Sequence, residues 1–265
     1  YIGLRKTYTA LSRANEAEAN FRLAIEADVS NWASFNAMGN FLFAQSRFNE
    51  AAEFYQMYVN RSDNDGPALS NLGAAYYLAG EYRKAADAWE EAIKVRPNRS
   101  VYSNTGTMYF YLGEFDKAAD RYVMAANMAP NDYIVWGNLA DAYQYSEKYA
   151  GVADVTYKRA LQLAEAALEV NPNDTEAMSF VAYYQARLGN SNVALETDAA
   201  ARKKGRDTMY VYYNSALVHA ILGDNDQALD MMERAVELDY QPELLRLDPA
   251  FAGLQDEERF KQLVQ

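Results

Sequence analysis

Along most of the chain, apolar residues return every three or four positions, in helix-length blocks separated by short polar turns. The clearest block reads NLGAAYYLAGEYRKAADAWEEAIKVRP, Asn71 to Pro97. Leu72, Gly73 and Tyr76 stand at i, i+1 and i+4, one face of a first predicted helix. Ala85, Trp89 and Ala92 stand at i, i+4 and i+7, one face of a second. Gly80 is placed for the turn between them and Pro97 for the exit from the second. Small residues at Gly73 and Ala85 let the two helices approach, and Trp89 fills the space that remains. A lone hairpin of this kind cannot bury its apolar face, whereas a stack of them can.

The block recurs. Shifted by thirty-three positions it returns as Gly106, Tyr109, Gly113, Ala118, Tyr122, Ala125 and Pro130; shifted back by thirty-four, as Gly39, Leu42, Ala51, Tyr55 and Tyr58. One further step back gives Tyr8, Ala17, Phe21 and Ala24. Forward, Trp136, Leu139, Ala140 and Tyr143 are followed by Ala153, Tyr157 and Ala160. Then come Val181, Ala182, Gly189, Ala194 and Ala201, and finally Ala216, Gly223, Ala228 and Ala235.

These slots resemble the tetratricopeptide repeat, W-x2-L-G-x2-Y followed by A-x3-F and P. The resemblance implies an all-α, right-handed superhelical solenoid of about seven helix–turn–helix units over residues 1–242. The expected units are 1–31 (truncated), 32–65, 66–98, 99–132, 133–174, 175–208 and 209–242. Phe251 with Leu254, and Phe260 with Leu263, predict two short capping helices within 243–265. Two departures stand out. Seven more residues separate Ala160 from Pro172 than separate Ala92 from Pro97, so the second helix of that unit should be about two turns longer and protrude. Asp198 occupies a slot held elsewhere by an aromatic, which predicts a rotated or looser helix, because a buried unpaired carboxylate is costly.

A narrower likeness rests on VYSNTGTMYFYLGEFDKAA, NDYIVWGNLADAYQY, RALQLAEAALEVNPND and LRLDPAFAGLQDEERF. These segments resemble the C-terminal repeat regions of bacterial multidomain signalling proteins, which follow a serine/threonine kinase, a TolB-like segment, an adenylate cyclase or a winged-helix regulator. The likeness implies a regulatory or scaffolding role.

Composition narrows the partners. The formal net charge of −12 repels phosphate backbones and anionic lipid, so neither nucleic acid nor membrane insertion is expected, and a basic or neutral polypeptide is favoured. The absence of cysteine excludes disulfides and thiolate chemistry. No signal-peptide pattern opens the stretch, which favours the cytoplasm slightly over the periplasm.

Nothing in the sequence points to catalysis, and no cofactor or metal is expected. The one histidine, His219, falls on the slot of Tyr76 and Tyr109, where a packed core residue is the simpler reading. Gly39, Gly73 and Gly106 lie a full repeat apart and are packing glycines rather than a phosphate loop. Asp224, Asp226 and Asp230 lack the calcium-loop pattern and suit a helix start instead. The expectation is therefore a protein- or peptide-binding module, with self-association as the alternative and small-ligand binding a distant one.

In this repeat class the first helix of each unit lines the inner wall, so first-helix residues not consumed by packing are the candidate contacts. One slot reads Asn71, Asn104, Asn138 and Asn214; the next includes Asn40, Asp141, Tyr183 and Lys6; Phe43, Tyr77, Phe110, Tyr145 and Arg187 follow. Amides satisfy main chain whatever its sequence, and aromatics add contact area at low entropic cost. The competing reading is that the Asn residues bond backbone within the stack.

Overall fold

The computed structural model describes residues 2–28, 31–62, 66–149 and 151–265, with side chains described from Arg13 onward. The candidate contact Lys6 and the repeat slot at Tyr8 lie outside the described side chains. No strand occurs among the described residues. The fold is an all-α repeat solenoid, and its contacts divide the chain into two compact units, residues 1–108 and 109–265.

The first unit begins with α1 (Ile2–Ala27), followed by the hairpins α2 (Ala33–Ala44) with α3 (Phe48–Val59) and α4 (Gly66–Leu78) with α5 (Tyr82–Val95). The expected truncated hairpin at the start is a single continuous helix. Its middle, ALSRANEAEAN, offers neither Gly nor Pro at the turn position and consists largely of good helix formers. The core of this unit gathers Met38, Leu42, Ala51, Tyr55, Leu72 and Ala88. A Cβ on Gly73 would stand 2.6 Å from the indole nitrogen of Trp89, so only glycine admits that ring. Burying such a ring contributes on the order of 2 kcal/mol. Gly80 closes the turn at φ 76°, a left-handed conformation that glycine adopts without penalty, and Ser46 takes the equivalent place at φ 58°.

Helix α6 (Arg99–Tyr111) carries the division between the units. The second unit continues with α7 (Phe115–Met128), α8 (Tyr133–Tyr145), α9 (Ala153–Val170), α10 (Thr175–Arg187), α11 (Ser191–Lys204), α12 (Met209–Ile221) and α13 (Asn225–Glu237). Three of its helices are capped by aspartates: Asp132 accepts from the Ile134 and Val135 amides, Asp174 from Ala177 and Asp224 from Gln227. Each such cap is worth about 1 kcal/mol. Helix α9 has 18 residues against 14 in α5 and α7, and Val170 at its end is 88% exposed. The seven extra residues prolong the helix beyond Ala160 as expected; the longer loop before Ala153 removes one turn from its start.

Asp198 corrects an expectation. The carboxylate is buried in the aromatic slot but is not unpaired: Arg202 Nε donates to it at 2.9 Å, and His219 Nε2 lies 3.5 Å away. Helix α11 therefore stays regular, while α12 packs more closely on α10 than on α11. The chain ends in three short turns rather than two: α14 (Pro242–Leu247), a 3-10 segment (Pro249–Leu254) and α15 (Glu258–Leu263). Leu245, Phe251 and Phe260 are buried beneath them.

Candidate functional site

The predicted contacts divide by unit. In the first, Tyr55 of α3 donates its hydroxyl to Asn40 Oδ1 at 2.8 Å, pinning the two helices of one hairpin together. Asn40, Asn71 and Asn104 are exposed. Phe43 packs edge-on against Phe48, with ring centroids 5.3 Å apart, and Tyr77 lies 6.2 Å from Tyr82 and 6.5 Å from Trp89. Phe110 and Phe115 repeat this arrangement in the second unit at 5.5 Å. These rings clasp the hairpin turn, five residues apart each time, and are half-buried.

In the second unit, five of the predicted residues converge. Asp141 Oδ1 accepts from Tyr157 Oη at 2.5 Å and from the hydroxyl of Tyr183. Arg187 Nε donates to Tyr183 Oη at 3.1 Å, and its Nη2 donates to Tyr145 Oη at 3.2 Å. The guanidinium also lies over the rings of Tyr183, Tyr145 and Tyr157, 5.4, 5.7 and 6.0 Å from their centroids. Phe110 completes the group, 6.0 Å from Tyr145.

The helix geometry explains the convergence. Asp141 and Tyr145 are four apart on α8, as Tyr183 and Arg187 are on α10, so each pair shares one helix face. The slots that predict exposed groove residues thus bring together a charged node. Burial raises the carboxyl pKa of Asp141, opposed by Arg187 and by the two hydroxyls. The same loss of water pushes the phenols of Tyr157 and Tyr183 well above their ordinary value. Both rings therefore stay protonated as donors at neutral pH.

Three participants escape the sequence reading. Tyr157 reads as core, yet its hydroxyl reaches Asp141. Tyr213 of α12 donates to Asp248 Oδ2 at 2.5 Å, stacks on Tyr240 at 4.7 Å and meets Phe251 edge-on. Asp248 is buried, caps the 3-10 segment through the Ala250 amide and has its pKa pushed up to about 6 by burial. The charges of Asp141 and Arg187 act on it as well, the first raising and the second lowering its pKa. A signal for Tyr213 was available: its slot holds Ser70, Ser103, Gly137 and Ser179 in other repeats. At Gly137 that space admits the Tyr184 ring of α10, whereas Tyr213 meets the terminal cap and fills the space itself.

Asn214 is a correction. It is buried and donates to Ser179 Oγ at 2.9 Å, joining α12 to α10 inside the stack, so it offers nothing to a partner. Asn138 is half-buried on α8. Beside the node, an open cleft of about 360 Å³ is lined by Phe115, Asp116, Tyr145, Ser146 and the turn at Gly113. His219 sits elsewhere, buried between Asp198 and Asp224, whose Oδ2 is 3.6 Å from Nδ1. Among the described residues no group of three or more His, Asp or Glu could hold a metal, and no helix is long and apolar enough to cross a membrane.

Recurring hairpins with a small residue, Gly or Ala, at the same first-helix slot and a glycine in most turns define a helical-repeat protein. The tetratricopeptide repeat profiles match residues 6–67, 66–99 and 210–242. No curated protein matches the sequence. Among solved structures, a tetratricopeptide repeat protein from Parabacteroides merdae ATCC 43184 is similar over 98% of this chain and 95% of its own, with a TM-score of 0.68 and 14% identity. MamA protein is similar over 63% of this chain and 91% of its own, with a TM-score of 0.54 and 22% identity. The Cut9 and Hcn1 hetero-tetramer of the APC/C is similar over 95% of this chain and 45% of that one, with a TM-score of 0.56 and 14% identity. The chain is a tetratricopeptide repeat protein.

Proposed function

We propose that this protein is an interaction module that binds an extended polypeptide segment along first-helix residues, anchored at the Asp141–Tyr145–Tyr183–Arg187 node. The observation that carries this reading is the state of Arg187. Its guanidinium is held by tyrosine hydroxyls and ring faces and makes no direct ion pair with a described carboxylate. Such a group is rigid before a partner arrives, so little side-chain entropy remains to be lost on binding. Its remaining N–H groups suit backbone carbonyls, and Tyr145 and Phe110 add apolar area. Upstream in the chain, exposed Asn40, Asn71 and Asn104 supply amides for the same purpose. The segment is basic or neutral, in keeping with the net charge of −12. The likeness to repeat regions of bacterial signalling proteins supports a regulatory or scaffolding part of a larger protein, with no catalytic step of its own.

Selection of displayed random dodecapeptides on the immobilised chain tests this. Enriched peptides should bind the Tyr145→Ala and Arg187→Gln variants about tenfold more weakly. Absence of enrichment, or equal binding to both variants while they remain folded, rejects the node as the anchor.

A second reading, self-association, draws on the apolar side chains left exposed on α9, Val155 at 63% and Val170 at 88%. Light scattering that shows the same mass across a hundredfold concentration range would dismiss it.

A further inference from the structure

One surface of the second unit has the opposite electrostatic character to the chain as a whole. An open cleft of about 440 Å³ lies between the end of α11, the start of α12 and α13, and is lined by Ala199, Arg202, Lys203, Arg206, Tyr212 and Arg234. Four cations and no carboxylate line it, in a chain whose net charge is −12. The cleft shares no residue with the node described above.

A simpler explanation covers part of this cluster. Arg202, Lys203 and Lys204 occupy the last turn of α11, where cations offset the negative end of the helix dipole. Lys204 does no more than that, reaching Asn173 Oδ1 at 3.1 Å across the adjoining loop. The explanation extends to Arg234, in the last turn of α13, but not to Arg206, which lies beyond the helix, and it does not account for cations of two helices facing one cleft. Nor are the charges all spent locally. Arg202 is engaged by buried Asp198 at 2.9 Å, and Arg234 by exposed Glu237 at 2.8 Å, with exposed Asp207 at 3.9 Å. Lys203 and Arg206 are exposed and form no ion pair with a described residue. Arg234 also rests on the Tyr212 ring, 5.7 Å from its centroid, which fixes the guanidinium at the cleft wall.

We infer that this cleft binds a phosphomonoester group. A phosphomonoester carries close to two negative charges at neutral pH and three strong acceptor oxygens. Two paired arginines as walls and two free cations match that better than they match a single carboxylate. Guanidinium forks also suit phosphate oxygens in bidentate geometry. Size points the same way. Carboxylates elsewhere on the chain repel a long polyanion, whereas a compact ion inside the cleft feels chiefly charges within a Debye length, about 8 Å. The group could belong to a free phosphate compound or to a phosphorylated side chain of a polypeptide, and the experiment separates these sources.

Calorimetric titration of the 265-residue chain would use two phosphoryl probes, inorganic phosphate and a phosphoserine heptapeptide. The same heptapeptide with glutamate in place of phosphoserine is the third arm. The expected result is saturable binding of a phosphoryl probe, weakened about tenfold or more in the Lys203→Gln/Arg206→Gln variant. Both positions are exposed, so the variant should keep its helical circular dichroism. Tighter binding of the phosphopeptide than of phosphate assigns the source to a phosphorylated segment; equal binding assigns it to a free phosphate compound. No saturable binding of either phosphoryl probe, undiminished binding by the variant, or equal affinity for the glutamate peptide overturns the inference.

Discussion

Hairpins α2–α3 and α8–α9 are built on the same slots, and what fills two of them sets the hairpins apart: Asn40 and Ala44 in the one, Asp141 and Tyr145 in the other. In each, a second-helix tyrosine donates its hydroxyl to the residue just after the small packing residue of the first helix: Tyr55 to Asn40, and Tyr157 to Asp141. With an amide at that slot, the contact is a neutral pin that serves its own hairpin. With a carboxylate, the contact reaches further: Tyr183 donates to the same oxygen, and Arg187 is drawn in through Tyr183 and Tyr145. A buried charge must collect partners or be expelled. The comparison teaches that a carboxylate in place of an amide, with Tyr145, Tyr183 and Arg187 where the first unit has Ala44, Ala74 and Leu78, turns a local fastening into a polar node shared by three helices.

The strongest challenge to this comparison removes the cation. Arg187→Ala should cost roughly 3 kcal/mol, because Asp141 then loses its counter-charge in a half-buried place and three rings lose their filler. A urea unfolding curve with a loss below about 1 kcal/mol would mean that the node is no more than a surface ornament.

The pH dependence is next in size. Burial raises Asp248 to about 6, above its unfolded value, so between roughly pH 4 and that point the native state holds a proton that the unfolded chain has released. Stability from this group is therefore full below roughly pH 4 and is lost as the pH rises through 6, by an amount on the order of 2 kcal/mol. Asp141 is shifted in the same direction, whereas the Asn40 pin has nothing to titrate. Unfolding free energies of the original chain minus those of Asp248→Asn should fall across that window and flatten above it; a difference that rises with pH would reverse the sign assigned to burial.

The smallest effects sharpen the comparison most. Tyr157→Phe should cost roughly 2 kcal/mol, as it removes a hydrogen bond to a charged acceptor. Tyr55→Phe, removing a neutral one, should cost roughly 1 kcal/mol. Equal losses would show that the carboxylate adds nothing to the pin.

The fold was legible because packing imposes it directly on residue size. Gly73 lies beneath Trp89 and Gly39 beneath Tyr55, so glycine and aromatic must recur in phase for hairpins to nest. The first helix was not legible in the same way: α1 keeps repeat-like slots at Ala17 and Phe21 yet lacks a turn residue, and helix propensity overrides the slots. Asp198 misled because sequence shows a carboxylate in an aromatic slot but not Arg202 one turn later reaching back to it. At the candidate site, first-helix spacing brought Asp141, Tyr145, Tyr183 and Arg187 to notice. It could not say which members of a slot would be buried, since exposed Asn71 and buried Asn214 occupy equivalent positions. What differs is the neighbouring helix, and for Asn214 that neighbour offers Ser179.

The direct test of the account follows the tyrosine rings by nuclear magnetic resonance, with ring-labelled tyrosine, while a display-selected peptide is added. The account predicts that Tyr145 and Tyr183 respond with the same saturation curve while Tyr58 of α3 and Tyr122 of α7, both buried, stay in place. Movement confined to rings outside the node, with Tyr145 and Tyr183 unchanged at saturation, would contradict it.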